Sequence, residues 1–169
     1  RMNRTMNQII KRIAAGSLLL CMAGVCLTGC SSTKEKLAKE EAYRTEGINA
    51  MDKGDYAAAM DAFNQALSEV KDIGSNEVDI CLYKAAAQFA AGSYSGAIET
   101  YDTLLEYDKK NPDVYFLRGC VYLKNQESDK AVADFKQAVK YADDDGMYLQ
   151  IYDALKGASQ DDAAENFLS

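Results

Sequence analysis

YAAAMDAFNQAL (residues 56–67), YSGAIETYDTLL (94–105) and SDKAVADFKQAV (128–139) are three versions of one pattern. Aligned, they set Tyr56, Ala59, Met60, Phe63, Ala66 and Leu67 over Tyr94, Ala97, Ile98, Tyr101, Leu104 and Leu105. The third copy supplies Ala131, Val132, Phe135, Ala138 and Val139, with Ser128 in place of the tyrosine. Apolar positions at offsets of 3, 4, 7, 10 and 11 form one stripe on an α-helix.

A turn precedes each copy: Gly54-Asp55, Gly92-Ser93 and Gln126-Glu127. Glycine ends a helix readily, and Asp or Ser caps the start of the next. Ahead of each turn stands another helical stretch, EEAYRTEGINAMDK, VDICLYKAAAQFAA and PDVYFLRGCVYLKN. In each, a larger residue is followed four positions on by a small one: Tyr43 and Gly47, Cys81 and Ala85, Tyr115 and Gly119. The small residue lets the second helix approach closely. Asn111-Pro112 predicts a helix start, with Asn as cap and Pro at the first helical position.

Ala59, Ala97 and Ala131 are spaced 38 and then 34 residues apart, and a partial fourth copy carries Ala164 and Leu168 in phase. This resembles the tetratricopeptide repeat, a unit of about 34 residues with a W-x2-L-G-x2-Y, A-x3-F, P pattern. The third copy has Tyr115, Gly119, Tyr122, Ala131, Phe135 and Ala138 in place. The first has Glu46 at the leucine site and Ala50 at the tyrosine site; the second has Cys81 for the aromatic and Lys84 for the leucine. KDIGSNE (71–77) absorbs the extra residues, and Tyr152 stands where the fourth copy needs a small residue. The resemblance covers 39–169, with units near 40–77, 78–111, 112–144 and 145–169. It implies an all-α fold: a right-handed α-solenoid of three helix-turn-helix units, an atypical C-terminal pair covering the end, and a concave inner face. The physical reason is burial. One pair cannot hide its own apolar stripe, whereas stacked pairs share a continuous core.

The first twelve residues carry Arg1, Arg4, Lys11 and Arg12 and no acid, and residues 13–29 carry no charge. A basic start before a short apolar run is the plan of a secretory signal. Leu27-Thr28-Gly29-Cys30 resembles the lipobox of bacterial lipoproteins, which implies a signal peptide over 1–29 and a diacylglyceryl thioether on Cys30. An uncleaved N-terminal anchor helix is the alternative. Two or more acyl chains hold a protein on a bilayer where one would release it. Residues 30–38 are then a lipidated cysteine and a short linker, and the array sits outside the cytoplasm on a membrane, at a Gram-positive surface or in a Gram-negative periplasm. Lys34, Lys36 and Lys39 either touch anionic headgroups or form an ordinary solvated lead-in.

Without residues 1–29, 15 Lys+Arg face 26 Asp+Glu, a net charge of −11. That balance repels phosphates and argues against nucleic acid as a partner. With no histidine, the commonest general base and metal ligand is missing. No Gly-rich phosphate loop and no Ser–His or Cys–His nucleophile is present, so we expect no enzyme, no catalytic residue, no metal, no cofactor and no small-molecule substrate. The run Asp143-Asp144-Asp145 lacks the spacing of a calcium loop, because its third ligand would be Met147, and it reads as a solvated helix end. Carboxylate pairs elsewhere are read as lying on solvated helix faces. Cys81 and Cys120 read as buried, unpaired thiols.

Each first helix carries a second stripe. The sets are Glu41, Arg44, Ile48 and Met51; Asp79, Leu82, Ala86 and Phe89; Asp113, Phe116, Cys120 and Leu123. In the family this face lines the groove. Arg44, Ile48, Met51, Leu82, Phe89, Phe116 and Leu123 are therefore the candidate groove residues, facing an apolar or amphipathic segment of a protein partner. The competing reading is that they pack between neighbouring units. Ile48 and Tyr83 stand where some family members use asparagines to hold a peptide carboxylate, so that clamp is not expected. The function expected is a membrane-anchored protein- or peptide-binding scaffold. The alternative is a structural or assembly subunit, pilotin-like, of an envelope secretion, pilus or cell-wall machine.

Overall fold

A computed structural model describes residues 31–68, 70–143 and 145–168. Eight helices make up the described residues, with no strand among them: α1 (Ser31–Asp52), α2 (Tyr56–Ala66), α3 (Val78–Ala90), α4 (Tyr94–Tyr107), α5 (Pro112–Lys124), α6 (Ser128–Tyr141), α7 (Gly146–Gly157) and α8 (Asp161–Leu168). They pack as antiparallel pairs α1–α2, α3–α4, α5–α6 and α7–α8, each stacked on the next. This is the α-solenoid that the repeat pattern predicts. The signal peptide and Cys30 lie outside the described residues.

The turn inside every pair is one motif used four times. The N–H of Asp55 donates to Ala50 O, Ser93 to Gln88 O, Glu127 to Tyr122 O and Gln160 to Leu155 O, at 2.8–2.9 Å. The residue before each donor is left-handed: Gly54, Gly92, Gln126 (φ 62°) and Ser159 (φ 58°). This is the glycine-favoured helix ending that ties up the last free carbonyls. The third and fourth copies make it without glycine, against the steric cost of a β-carbon at positive φ. Asp55 and Asn111 cap as expected, accepting from the N–H groups of Ala58 and Val114 at 3.1 Å. Ser93 does not: its side chain makes no capping hydrogen bond.

Small residues set the helix spacing within a pair. A β-carbon placed on Gly47 would run into the Phe63 ring, and one on Gly119 would stand 2.5 Å from Phe135 Cε1. Phe63, Tyr101 and Phe135 are fully buried at equivalent places in their units. The core is continuous from Cys81 to Ala164, with a smaller cluster of Ala59, Phe63, Ala66, Ile80 and Ala87 closing the first unit on the second.

One boundary differs from expectation. Residues 31–38 read as a linker, but α1 starts at Ser31. Lys34 to Glu40 are all strong helix formers, and Glu35 and Lys39 are spaced for a favourable i, i+4 pair. Residues 34–39 are all exposed, Leu37 among them at 48%, so this extension adds nothing to the core.

Candidate functional site: the inner face of the first helices

α1, α3, α5 and α7 are the first helices of the four pairs. The structure corrects the groove expected on them. Leu82, Phe89, Phe116 and Leu123 are only 0, 5, 3 and 8% exposed. They belong to the core because neighbouring elements cover them. The Phe116 ring lies 5.8 Å from that of Phe135, and Phe89 lies 5.7 Å from Tyr94. Helical spacing marks a face without saying whether a neighbour lies over it, and burial of these side chains stabilises the stack. Ile48 and Met51 are half-buried against the first cluster and keep a partial surface.

Arg44 is held in place rather than free. Its Nε donates to Asp79 Oδ2 at 2.7 Å across the α1–α3 boundary, its Nη2 donates to the same oxygen, and its Nη1 reaches Glu41 Oε1 at 3.2 Å. Asp79 is 5% exposed, so this ion pair is largely desolvated. Burial works against the Arg44 charge, but the hydrogen bond and charge of Asp79 outweigh it and raise its pKa. Close by, burial pushes the Glu40 carboxyl upward, and the charges of Glu77, Asp79 and Glu41 add to that. The inner face of the first two units is therefore a charged edge, with Ile48 and Met51 beside it.

A second buried pair escaped the sequence reading. Arg118 Nε and Nη2 donate to Asp134 Oδ2 and Oδ1, both at 2.7 Å, and Nη1 donates to Asp102 Oδ1. The guanidinium lies 5.6 Å from the Tyr115 ring centre and 5.9 Å from that of Tyr122. Burial opposes the Arg118 charge, yet the bonds to Asp134 and Asp102 prevail and raise its pKa. Asp79 and Asp134 are thus core residues, which corrects the expectation that the carboxylate pairs lie on solvated faces. One signal was present. The leucine sites of the first three copies carry a charge, Glu46, Lys84 and Arg118.

Leu149 holds the place on α7 that Leu82 holds on α3 and Phe116 on α5. It is 62% exposed, and Tyr148 beside it is 38% exposed. Cys81 and Cys120 are free and buried. Burial pushes their thiols up to about 11 and about 12, which makes them poor nucleophiles. Asp143 and Asp145 are exposed, and Asp144 lies outside the described residues. Among the described residues no cluster could hold a metal ion, and no helix is long and apolar enough to cross a membrane.

Comparison with known proteins agrees with this geometry. A TPR-repeat family model matches residues 85–126, and a tetratricopeptide-repeat model matches residues 112–145. Residues 85–145 are tetratricopeptide repeats. Among solved structures, this tetratricopeptide array is similar to MamA, with TM-score 0.60 and 18% identity over 76% of this chain and 69% of that one. It is also similar to the type III secretion translocator chaperone SycD of Yersinia enterocolitica, with TM-score 0.62 and 18% identity over 74% of this chain and 95% of that one. A curated relative, neutrophil cytosol factor 2 of Mus musculus, is 31% identical over 94 residues, 56% of this chain. The chain spans 17% of that relative's length.

Proposed function

We propose that the chain is a non-catalytic scaffold, tethered to the outer side of a membrane by a lipid on Cys30, that receives a protein segment on the inner face of its first helices. The repeat fold supports binding as the activity. Stacked helix pairs build an extended surface, and no histidine offers a general base. The tether is supported by the basic start, the uncharged residues 13–29 and Leu27-Thr28-Gly29-Cys30. The observation that carries the binding reading is the edge formed by Glu40, Glu41, Arg44 and Asp79 next to half-exposed Ile48 and Met51. It favours a partner segment that is amphipathic and basic on its polar side.

The second reading, an assembly subunit of an envelope machine, draws on Tyr148 and Leu149 at the other end of the array. One experiment separates the two. Photo-crosslinkers are placed at Ile48 and at Leu149 in cells, and the intact mass of the membrane-bound protein is measured. Capture from position 48, with an acyl adduct on Cys30, fits the scaffold. Capture from position 149 alone selects the subunit, and a mass without acyl chains removes the tether.

A further inference from the structure

The second helix pair departs from the third at one place, and the departure opens a cleft. On α5, Tyr115, Arg118 and Tyr122 lie at i, i+3 and i+7. Their site is filled: two rings flank the guanidinium, and Asp134 and Asp102 take its N–H groups. Thirty-four residues earlier, the places of Tyr115, Arg118, Tyr122 and Asp134 hold Cys81, Lys84, Gln88 and Thr100. Both rings are gone, and a threonine replaces the carboxylate. Neutral Asn64 stands where α2 would supply the counterpart of Asp102.

The vacated space is a cleft of about 570 Å³ between α3, α4 and the long connection after α2. Cys81, Lys84, Gln88 and Thr100 line it, with Tyr107 half-exposed among its walls. The Thr100 hydroxyl donates to Gln88 Oε1 at 2.8 Å, which leaves the glutamine amide N–H groups as the donors to offer. Lys84 is half-buried and makes no hydrogen bond or ion pair among the described residues. Asp72, Glu99 and Glu106 line the same cleft, but none of them forms an ion pair with Lys84, which leaves its ammonium without a direct partner. In the third unit the equivalent cation is completed by two carboxylates and two aromatic rings, the kinds of group the second unit lacks beside Lys84.

We propose that this cleft binds a peptide segment of a protein partner that sets an acidic side chain against Lys84 and an aromatic side chain beside it. The other charged groups lining the cleft are Lys71, Asp72, Glu99 and Glu106, and three of those four are acids. They select against a multiply anionic ligand and leave a segment with a single acid. The neutral Cys81 thiol adds no competing charge. Cys81, Lys84 and Gln88 lie on a different face of α3 from Leu82, Ala86 and Phe89. The site is therefore separate from the inner face.

The test titrates the full chain, in detergent micelles, with acetyl-Tyr-Asp-Tyr-amide and follows backbone amides by NMR. Saturable shifts at Lys84, Gln88 and Thr100 are expected. The matched probe acetyl-Tyr-Asn-Tyr-amide, and the variant Lys84→Gln with the acidic probe, should each bind about tenfold more weakly. Gln88→Tyr refills the cleft and should abolish the shifts while the melting temperature holds or rises. Shifts confined to other helices, no saturation, or equal affinity for the two probes would each overturn the proposal. The probe comparison on the unaltered chain decides even where a variant fails to fold.

Discussion

Arg118 and Asp134 face each other through two parallel hydrogen bonds, Nε to Oδ2 and Nη2 to Oδ1, each 2.7 Å long. The side chains are only 17% and 8% exposed. The pair spans α5 and α6, and Asp102 extends it to α4. An arginine at the leucine site thus ties three helices together by charge where the family pattern uses an apolar contact.

Removing one partner should cost more than removing both. Asp134→Ala leaves Arg118 partly uncompensated and should lower unfolding free energy by about 3 kcal/mol in urea titration. Arg118→Leu combined with Asp134→Ala should recover most of that loss, because leucine suits the site. A single variant as stable as the unaltered chain would refute the claim.

The close packing of Gly119 under Phe135 predicts overpacking. Gly119→Ala puts a β-carbon 2.5 Å from Phe135 Cε1, so the ring or the helix must move. The cost should be about 1–3 kcal/mol despite the better helix propensity of alanine. Gly157→Ala, where nothing lies within 4 Å, is the control and should not destabilise.

Tyr101 is fully buried, and its hydroxyl has no hydrogen-bond partner among the described residues. Phe63 and Phe135 occupy the same place in the units on either side. Tyr101→Phe should therefore raise stability by about 1 kcal/mol, since it deletes an unpaired buried group and keeps the ring. Thermal melts that fall rather than rise would show that the hydroxyl is satisfied in solution.

The two thiols should be silent in the native state. Burial raises Cys81 from near 9 to about 11 and Cys120 to about 12. Both folded values lie above the unfolded one. Their contribution to stability is thus whole below pH 9 and is lost as pH rises toward 11 and 12. Alkylation at pH 8, mapped by peptide mass, should spare both residues until denaturant is added. Rapid labelling of Cys120 without denaturant would contradict its burial.

Much of this fold was legible because the repeat writes each feature several times. Gly47, Gly119, Phe63 and Phe135 stood out as small and aromatic partners at fixed spacing, and they meet as expected. Asn111 capped for a purely local reason. Other features escaped because their cause is distant in sequence. Asp79 and Asp134 look like solvated acids until an arginine 35 or 16 residues away is folded against them. Leu82 and Phe116 carry helical spacing whether they line a groove or a core, and only the neighbouring unit decides. Residues 34–39 have no apolar period, so helix propensity alone was their signal.

The unbroken α1 has a mechanical consequence. No glycine or proline interrupts it from Ser31 until Gly47, which is already inside the first repeat. At about 1.5 Å per residue its 22 residues form a lever about 33 Å long. Whatever grips α1 at its Ser31 end therefore aims the whole array as well as holding it. Each residue added between the grip and the first repeat would swing the array by about 100° around the helix axis.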